Sequence, residues 1–394
     1  QVCALGKMAI EAGVDGLVVQ ARSSEDIFHL TIAGGVGFVG VSGTVAVTLI
    51  DSDTTAYIGN NAQINQTDGN DGADGQQSVY VTAGNRVDIL ATVVGVAAGF
   101  VGVGGAVNVG SIENDVSAGI LGGGTLVTAE KDVAVNALGI KDLEGYTASG
   151  AGGFVGIAAG VSVWSIGTTI ERDYDSGEGN AGDPLASGEE VPPGEEPQTA
   201  DGDAAEQAGN TSSEISGQLK GGFSSDEGGG RVDNATEGAA GKLDAAAPAA
   251  GDITPSPVPE TSGTEAYIAG GSTIDAGEDI SVTAGEDVTV EFFGGTVAGG
   301  AVGVGGAAAV LSIAANTSAH AGGTLSAGGD IRVRAFLNEN VDISSLCTAG
   351  GIVGLGAAVV VISDTSVVEA YIDDDAVIVT AENVIVEATG VQNL

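Results

Sequence analysis

Proline is missing from most of this chain. All eight (Pro184, Pro192, Pro193, Pro197, Pro248, Pro255, Pro257 and Pro259) fall between Tyr174 and Thr264. The flanking stretches can therefore form central strands, whose N–H groups all serve ladders that proline would interrupt. Basic residues are almost as scarce: 11 Lys+Arg face 53 Asp+Glu, a formal net charge of −42. That balance excludes nucleic acid and anionic membrane surfaces as partners, since both are held through basic patches. Aromatics make up 4% of the chain, so one large globular core is not expected. The two cysteines, Cys3 and Cys347, form no C-x-x-C, which removes zinc and thioredoxin-like readings. What remains is 43% hydrophobic and contains 68 glycines, too apolar for a disordered acidic chain. With no three-residue glycine period it is not collagen. Val, Ala and Gly suit thin, stacked layers.

Internal repetition is the strongest signal. A Gly-rich motif recurs as Ala33-Gly-Gly-Val-Gly-Phe-Val-Gly-Val, Ala98-Gly-Phe-Val-Gly-Val, Ala151-Gly-Gly-Phe-Val-Gly-Ile, Ala298-Gly-Gly-Ala-Val-Gly-Val and Ala349-Gly-Gly-Ile-Val-Gly-Leu. Its Val-Gly pair begins at Val39, Val101, Val155, Val302 and Val353, giving spacings of 62, 54, 147 and 51. Ala56-Tyr-Ile, Ala118-Gly-Ile, Ala319-His-Ala and Ala370-Tyr-Ile each follow 17 residues after their Val-Gly. A third element, Asp-(Ile/Val)-x-Val-x-Ala, opens at Asp132, Asp279 and Asp330, with Asn383 as a variant. Alternation, β-branching and Gly/Asn/Asp punctuation mark all three as strands. The expected fold is all-β: a parallel β-helix or β-solenoid of about five imperfect repeats of 51–62 residues, with strand-bearing stretches about 17 apart.

The spacing of 147 marks an insertion in the third copy, acidic and Gly/Pro-rich, with the composition of a solvated loop. The chain divides into solenoid repeats over 1–173, the insertion over 174–264, and further repeats over 265–394. Val2 to Gly13 aligns with Ala266 to Gly277, so the chain is expected to begin inside a repeat. Neither end carries a polar cap, and an uncapped solenoid end is a template for another chain. The chain therefore reads as a slice of a longer, processed protein, or as one whose ends a partner covers.

Asp-(Ile/Val)-x-Val-x-Ala strands alternating with Ala-Gly-Gly-x-Val-Gly-Val runs resemble the repeats of large bacterial exoproteins, the filamentous-haemagglutinin and leukotoxin-type filamentous adhesins. The resemblance covers everything but the insertion. It implies a secreted, elongated right-handed parallel β-helix at the cell surface of a prokaryote, acting in adhesion or as an extracellular fibre. The amino-terminal secretion domain of many such proteins is not in this sequence.

Several motifs invite chemistry. Ile89 to Ile112 is uncharged and long enough for a membrane helix, but Val-Gly alternation and scarce basic flanks favour strands, so no transmembrane helix is expected. Alternation puts Val on one face and Gly on the other; the flat Gly faces, at Gly104, Gly105, Gly305 and Gly306, are expected to mediate assembly within a blade or between filaments. Val101-Gly-Val-Gly-Gly lacks the Gly-Lys-Ser/Thr and helix start of a phosphate loop. Asp68, Asn70, Asp71 and Asp74, among glycines, supply hard oxygen ligands suited to Ca²⁺, the sole candidate cofactor, against a plain acidic turn. Sequons place candidate glycans at Asn65, Asn210, Asn234 and Asn316, against chance occurrence. His29 and His320 are isolated, and no catalytic constellation stands out.

These features point to a non-enzymatic module of an extracellular or cell-surface filament, self-associating through solenoid ends and Gly-rich faces. An adhesin presenting its insertion to a glycan or receptor is the second reading. A polysaccharide-active β-helix is the third.

Overall fold

The computed structural model describes residues 16–66, 75–167, 263–374 and 376–394, with the backbone alone of 170–172 and 253–255. Every regular element among them is a strand. The first coil contains β1 (Gly16–Val36), β2 (Val39–Ile58) and β3 (Gln63–Ile64). The second holds β4 (Ser78–Ala98), β5 (Val101–Ile120) and β6 (Leu126–Ala129). In the third, β7 (Val133–Gly152) and β8 (Val155–Ile166) precede an antiparallel ribbon of β9 (Ile170–Arg172) and β10 (Ile253–Pro255), and the coil resumes with β11 (Gly263–Ile268) and β12 (Thr273–Ala276). The fourth comprises β13 (Ile280–Gly299), β14 (Val302–Ile313), β15 (Asn316–Ala321) and β16 (Thr324–Ala327). The fifth comprises β17 (Ile331–Gly350), β18 (Val353–Asp364), β19 (Val367–Ile372) and β20 (Val377–Thr380), followed by β21 (Val384–Asn393).

Equivalent strands pair in parallel, so the chain is a β-solenoid with three sheets. Sheet A runs β1-β4-β7-β13-β17-β21; sheet B gathers the Val-Gly strands; sheet C contains the short ones. Val39 pairs with Val101, Val101 with Val155, Val155 with Val302 and Val302 with Val353, the register the sequence spacings define. The coil differs from the expected division into equal 17-residue stretches. It has two sides of about 20 residues and one of two to four, and in β2 and β5 the Val-Gly and Ala-x-Ile elements belong to one continuous strand. The Gly-rich motif is a turn flanked by two strand ends rather than a strand. The uncharged run from Ile89 to Ile112 is the end of β4, this turn and the start of β5. No helix of the described residues is long and apolar enough to cross a membrane.

The turn explains its glycines. Gly99, Gly153, Gly300 and Gly351 stack coil upon coil, and a Cβ on each would lie 2.0–2.4 Å from the carbonyl oxygen of the turn glycine one coil before. Gly153 and Gly351 also adopt φ of +155° and +150°, which a side chain disfavours. Beyond the turn, the inward position of sheet B is Gly in every coil: Gly40, Gly102, Gly156, Gly303 and Gly354. A Cβ on Gly40 would lie 2.4 Å from the Ala98 carbonyl oxygen of sheet A. Sheets normally pack about 10 Å apart; here the missing side chains let them close further.

Opposite this narrow tip the coil opens into a triangular core. Val79, Val81 and Ala83 of sheet A, Ala118 and Ile120 of sheet B, and Ile274 and Leu325 of sheet C are buried together. The Asp that precedes β7, β13 and β17 ties coils at the corner. Asp132 accepts the Asp279 N–H at 3.1 Å, Asp279 accepts the Asp330 N–H at 2.8 Å, and Asp330 accepts the Asn383 side-chain amide at 2.7 Å. The Asp330 N–H, and then the Arg332 guanidinium, hold Asp279 below the usual carboxylate range. Where a coil has glycine amid larger residues, an aromatic from the next coil lies over it: Trp164 over Gly110, Phe292 over Gly145, Tyr267 over Gly119.

Candidate functional site

Between the triangular core and a second apolar layer around Ile112, Leu143, Trp164 and Phe292 lies a polar seam running along the solenoid axis. Inward positions of sheet A place Glu25, Asn85, Lys141, Glu286 and Glu339 in it, one per coil. The Asn85 amide donates to Glu25 at 3.1 Å. Lys141 and Glu286, 1% and 0% exposed, form an ion pair, and Thr317 donates to Glu286 at 3.4 Å. Asn114, on the facing strand, is buried with no protein hydrogen-bond partner for its amide. Such a seam forces register: a slip of two residues, which keeps the same face inward, would set these charges among Val and Leu, at a cost of several kcal/mol per ion.

At the fifth coil, burial and then the neighbouring Asp364 push the Glu339 carboxyl from its ordinary 4.5 up to about 7. Ser366 donates to Glu339 at 2.6 Å, and Gln392 donates to Asp364 at 2.7 Å. The folded chain keeps this proton to about pH 7, whereas the unfolded chain releases it near 4.5. Stability therefore falls as pH rises between those values. Glu339→Gln keeps an acceptor for Ser366 and removes the titration. It should leave the melting temperature close to wild type at pH 4 and raise it at pH 8. An equal change at both pH values would contradict the assignment.

On the outer side of sheet B, His320 is sandwiched between Tyr267 and Tyr371, with ring centroids at 5.6 and 4.9 Å. Its Nδ1 lies 2.9 Å from Asp373 and its Nε2 3.4 Å from Glu265. Burial alone would lower its pKa, but the two carboxylates outweigh burial and raise it. The imidazolium thus bridges three coils. His29 differs: it faces inward, 3.2 Å from Thr48, and burial lowers it.

The narrow tip is apolar. Phe38, Phe100 and Phe154 stack there at 5.2 and 5.0 Å, nearly parallel. The side-chain pattern also inverts toward it. Inward residues become Gly, Ala, Ser and Thr, while Val takes the outer face of sheet B. At the first coil, β1 and β2 each pair on one side only among the described residues. These are edges of about 20 residues without Lys or Pro, the residues that usually guard exposed strands.

The sequence-predicted sites are scattered over this frame. Gly104 and Gly305 face inward: a Cβ on Gly104 would lie 2.4 Å from the Gly150 carbonyl oxygen, and one on Gly305 2.8 Å from Cys347 Sγ. Gly105 and Gly306 face outward, with nothing within 4 Å of a Cβ on Gly306. Asp68, Asn70, Asp71 and Asp74 lie outside the described residues, as do Asn210, Asn234, Cys3 and the aligned Val2–Gly13 segment. Asn65 sits at φ +57° with its amide donating to the Thr128 carbonyl at 2.8 Å, and Asn316 opens β15 between two neighbouring strands. Arg332 bridges Asp279 and Asp330, and Arg334 pairs with Glu387. The seam and the His320 sandwich were not foreseen, although inward parity carried forward from Val133 and Val135 lands on Lys141.

The fold and these surfaces define a parallel β-solenoid with a polar axial seam and an apolar tip. No family model matches the chain, no curated protein matches it, and no solved structure matches it.

Proposed function

We propose that this chain is a structural module of an extracellular or cell-surface filament in a prokaryote, extending by pairing of strand edges between solenoids. The observation that carries the reading is the pair of edges, each of about 20 residues, that β1 and β2 present among the described residues. Parallel edges of this length hydrogen-bond a second chain without side-chain specificity, and the repeated inward columns allow such a chain to continue the core. The resemblance to filamentous exoprotein repeats supports it, as does the acidity, which keeps long rods apart in solution. Purified chain should form filaments visible by electron microscopy, with an axial repeat of about 4.8 Å in diffraction. Monodisperse particles at millimolar concentration would overturn the proposal. A second reading, an adhesin, has one observation in its favour: the β9–β10 ribbon pairs Ile170–Arg172, just before the segment read as the insertion, with Ile253–Pro255 within it. Binding of monomeric rods to a glycan array would support that reading instead.

A further inference from the structure

We infer that the apolar half of the outer face of sheet A is an interface for a second copy of this chain, packed face to face with its strands antiparallel to the first. This lateral contact is separate from the edge pairing proposed above.

The argument begins from the inversion toward the tip. In β1 the outward Phe28, Ile32 and Val36 are 66%, 65% and 90% exposed, and Val297 and Leu346 of later coils are 60% and 56% exposed. From the positions of Leu30 to Val36 onward, no outward residue of sheet A in any coil is charged. A row of acids closes the patch on its other side: Glu144, Glu291 and Asp342 stand at one register position on successive coils. Five strands about 4.8 Å apart, each with about 7 residues at 3.3 Å, give roughly 550 Å² on each copy. The pair would bury about 1,100 Å², just above the roughly 1,000 Å² that a specific interface needs.

The side chains identify the occupant. A two-fold axis along the solenoid, through the middle of the patch, sets each coil against the same coil of the other copy with strand direction reversed. The Leu30 position then faces the Val36 position. In the third and fourth coils those positions hold Tyr146 with Gly152 and Phe293 with Gly299. Nothing lies within 4 Å of a Cβ on Gly152 or Gly299, so both are open hollows opposite a ring. The Ile32 and Gly34 positions face each other likewise: Ile32 meets the partner's Gly34, and Val297 meets the partner's Gly295. Rings meet glycine hollows in the third and fourth coils, while Leu30 meets the partner's Val36 and Val94 the partner's Val96 as apolar pairs, and each contact is made twice, as an isologous interface requires. This axis also places the two acid rows at opposite borders, away from one another. A lipid occupant fits less well, because among the described residues the edges of β1 and β2 carry backbone groups without a strand partner through the apolar stretch, which hydrocarbon cannot satisfy.

The test is sedimentation equilibrium of the full chain and of Gly299→Glu, which fills a hollow on the surface without touching its own coil. Wild type should dimerise, and Gly299→Glu should weaken dimerisation at least tenfold while leaving the circular dichroism and melting temperature unchanged. Thr92→Cys combined with Ala98→Cys, residues too far apart on β4 to be joined within one chain by a short spacer, should give covalent dimers with a bis-maleimide of about 8–10 Å, which matches the gap between facing sheets. Filaments built by edge pairing should persist in Gly299→Glu at reduced width, which separates failure of this contact from failure of the filament reading. A monomeric wild type, a Gly299→Glu dimer of unchanged affinity, or flotation of monomers with phosphatidylcholine vesicles would each overturn the inference.

Discussion

Lys141→Met should destabilise the chain by about 3–5 kcal/mol, the usual result of leaving one member of a buried ion pair without its partner. Glu286 is fully buried, and among the described residues Thr317 is its one other hydrogen-bond donor, at 3.4 Å. Without the ammonium group, Glu286 must take up a proton or draw water between β13 and β15, and either opens the middle of the solenoid. Lys141→Met with Glu286→Met removes both charges from a site flanked by Val87 and Val288, and should recover most of the loss. Denaturant unfolding of both variants checks this. If single and double variants lose equal stability, packing of the lysine stem matters and the pair does not. A seam of this kind adds less to stability than to specificity, since well-packed apolar residues in its place are often neutral or better.

Gly104→Leu should cost about 3 kcal/mol or more and Gly306→Leu almost nothing, although both stand in the same Val-Gly motif. A Cβ on Gly104 would lie 2.4 Å from the Gly150 carbonyl oxygen and 3.3 Å from that of Gly95, both backbone atoms that cannot turn aside. Sheet B would have to lift from sheet A at the tip, exposing the close contact that its glycines make. Gly306 points outward into open space. Thermal melts of the two variants separate the cases; a stable Gly104→Leu would mean the sheets are not closely apposed. The contrast also bears on assembly, because loss of filaments in Gly104→Leu would report a damaged coil. Gly306→Leu tests an outer surface with the coil intact.

Much of the architecture was legible before any coordinates. Spacings of 62, 54, 147 and 51 between Val-Gly pairs became the strand register itself, because parallel stacking places equivalent residues side by side. Proline confined to one segment leaves every strand of the three sheets free of it, since those strands need their N–H groups. Less visible was the shape of the coil. Periodicity of 2 reads the same in a strand of six residues and in one of twenty, so Asp132-Val-Ala-Val-Asn-Ala looked like a short strand when it opens the 20-residue β7. The Gly-rich motif read as a strand because its turn is only two residues long, Gly37-Phe38 or Gly99-Phe100, too short to interrupt the pattern.

By itself, then, the sequence determined the class of fold and its register, because a stacked coil repeats its chemistry at fixed intervals. Tertiary structure alone decided which face of each strand turns inward. Near sheet C, Val and Ile fill the wide triangular core and polar residues face out. Toward the tip the two long sheets converge, glycine is the residue that fits between them, and the valines are left outside. The cause is the geometry of a coil with one short side: its sheets must close at the opposite end, and the space between them sets which side chains can enter.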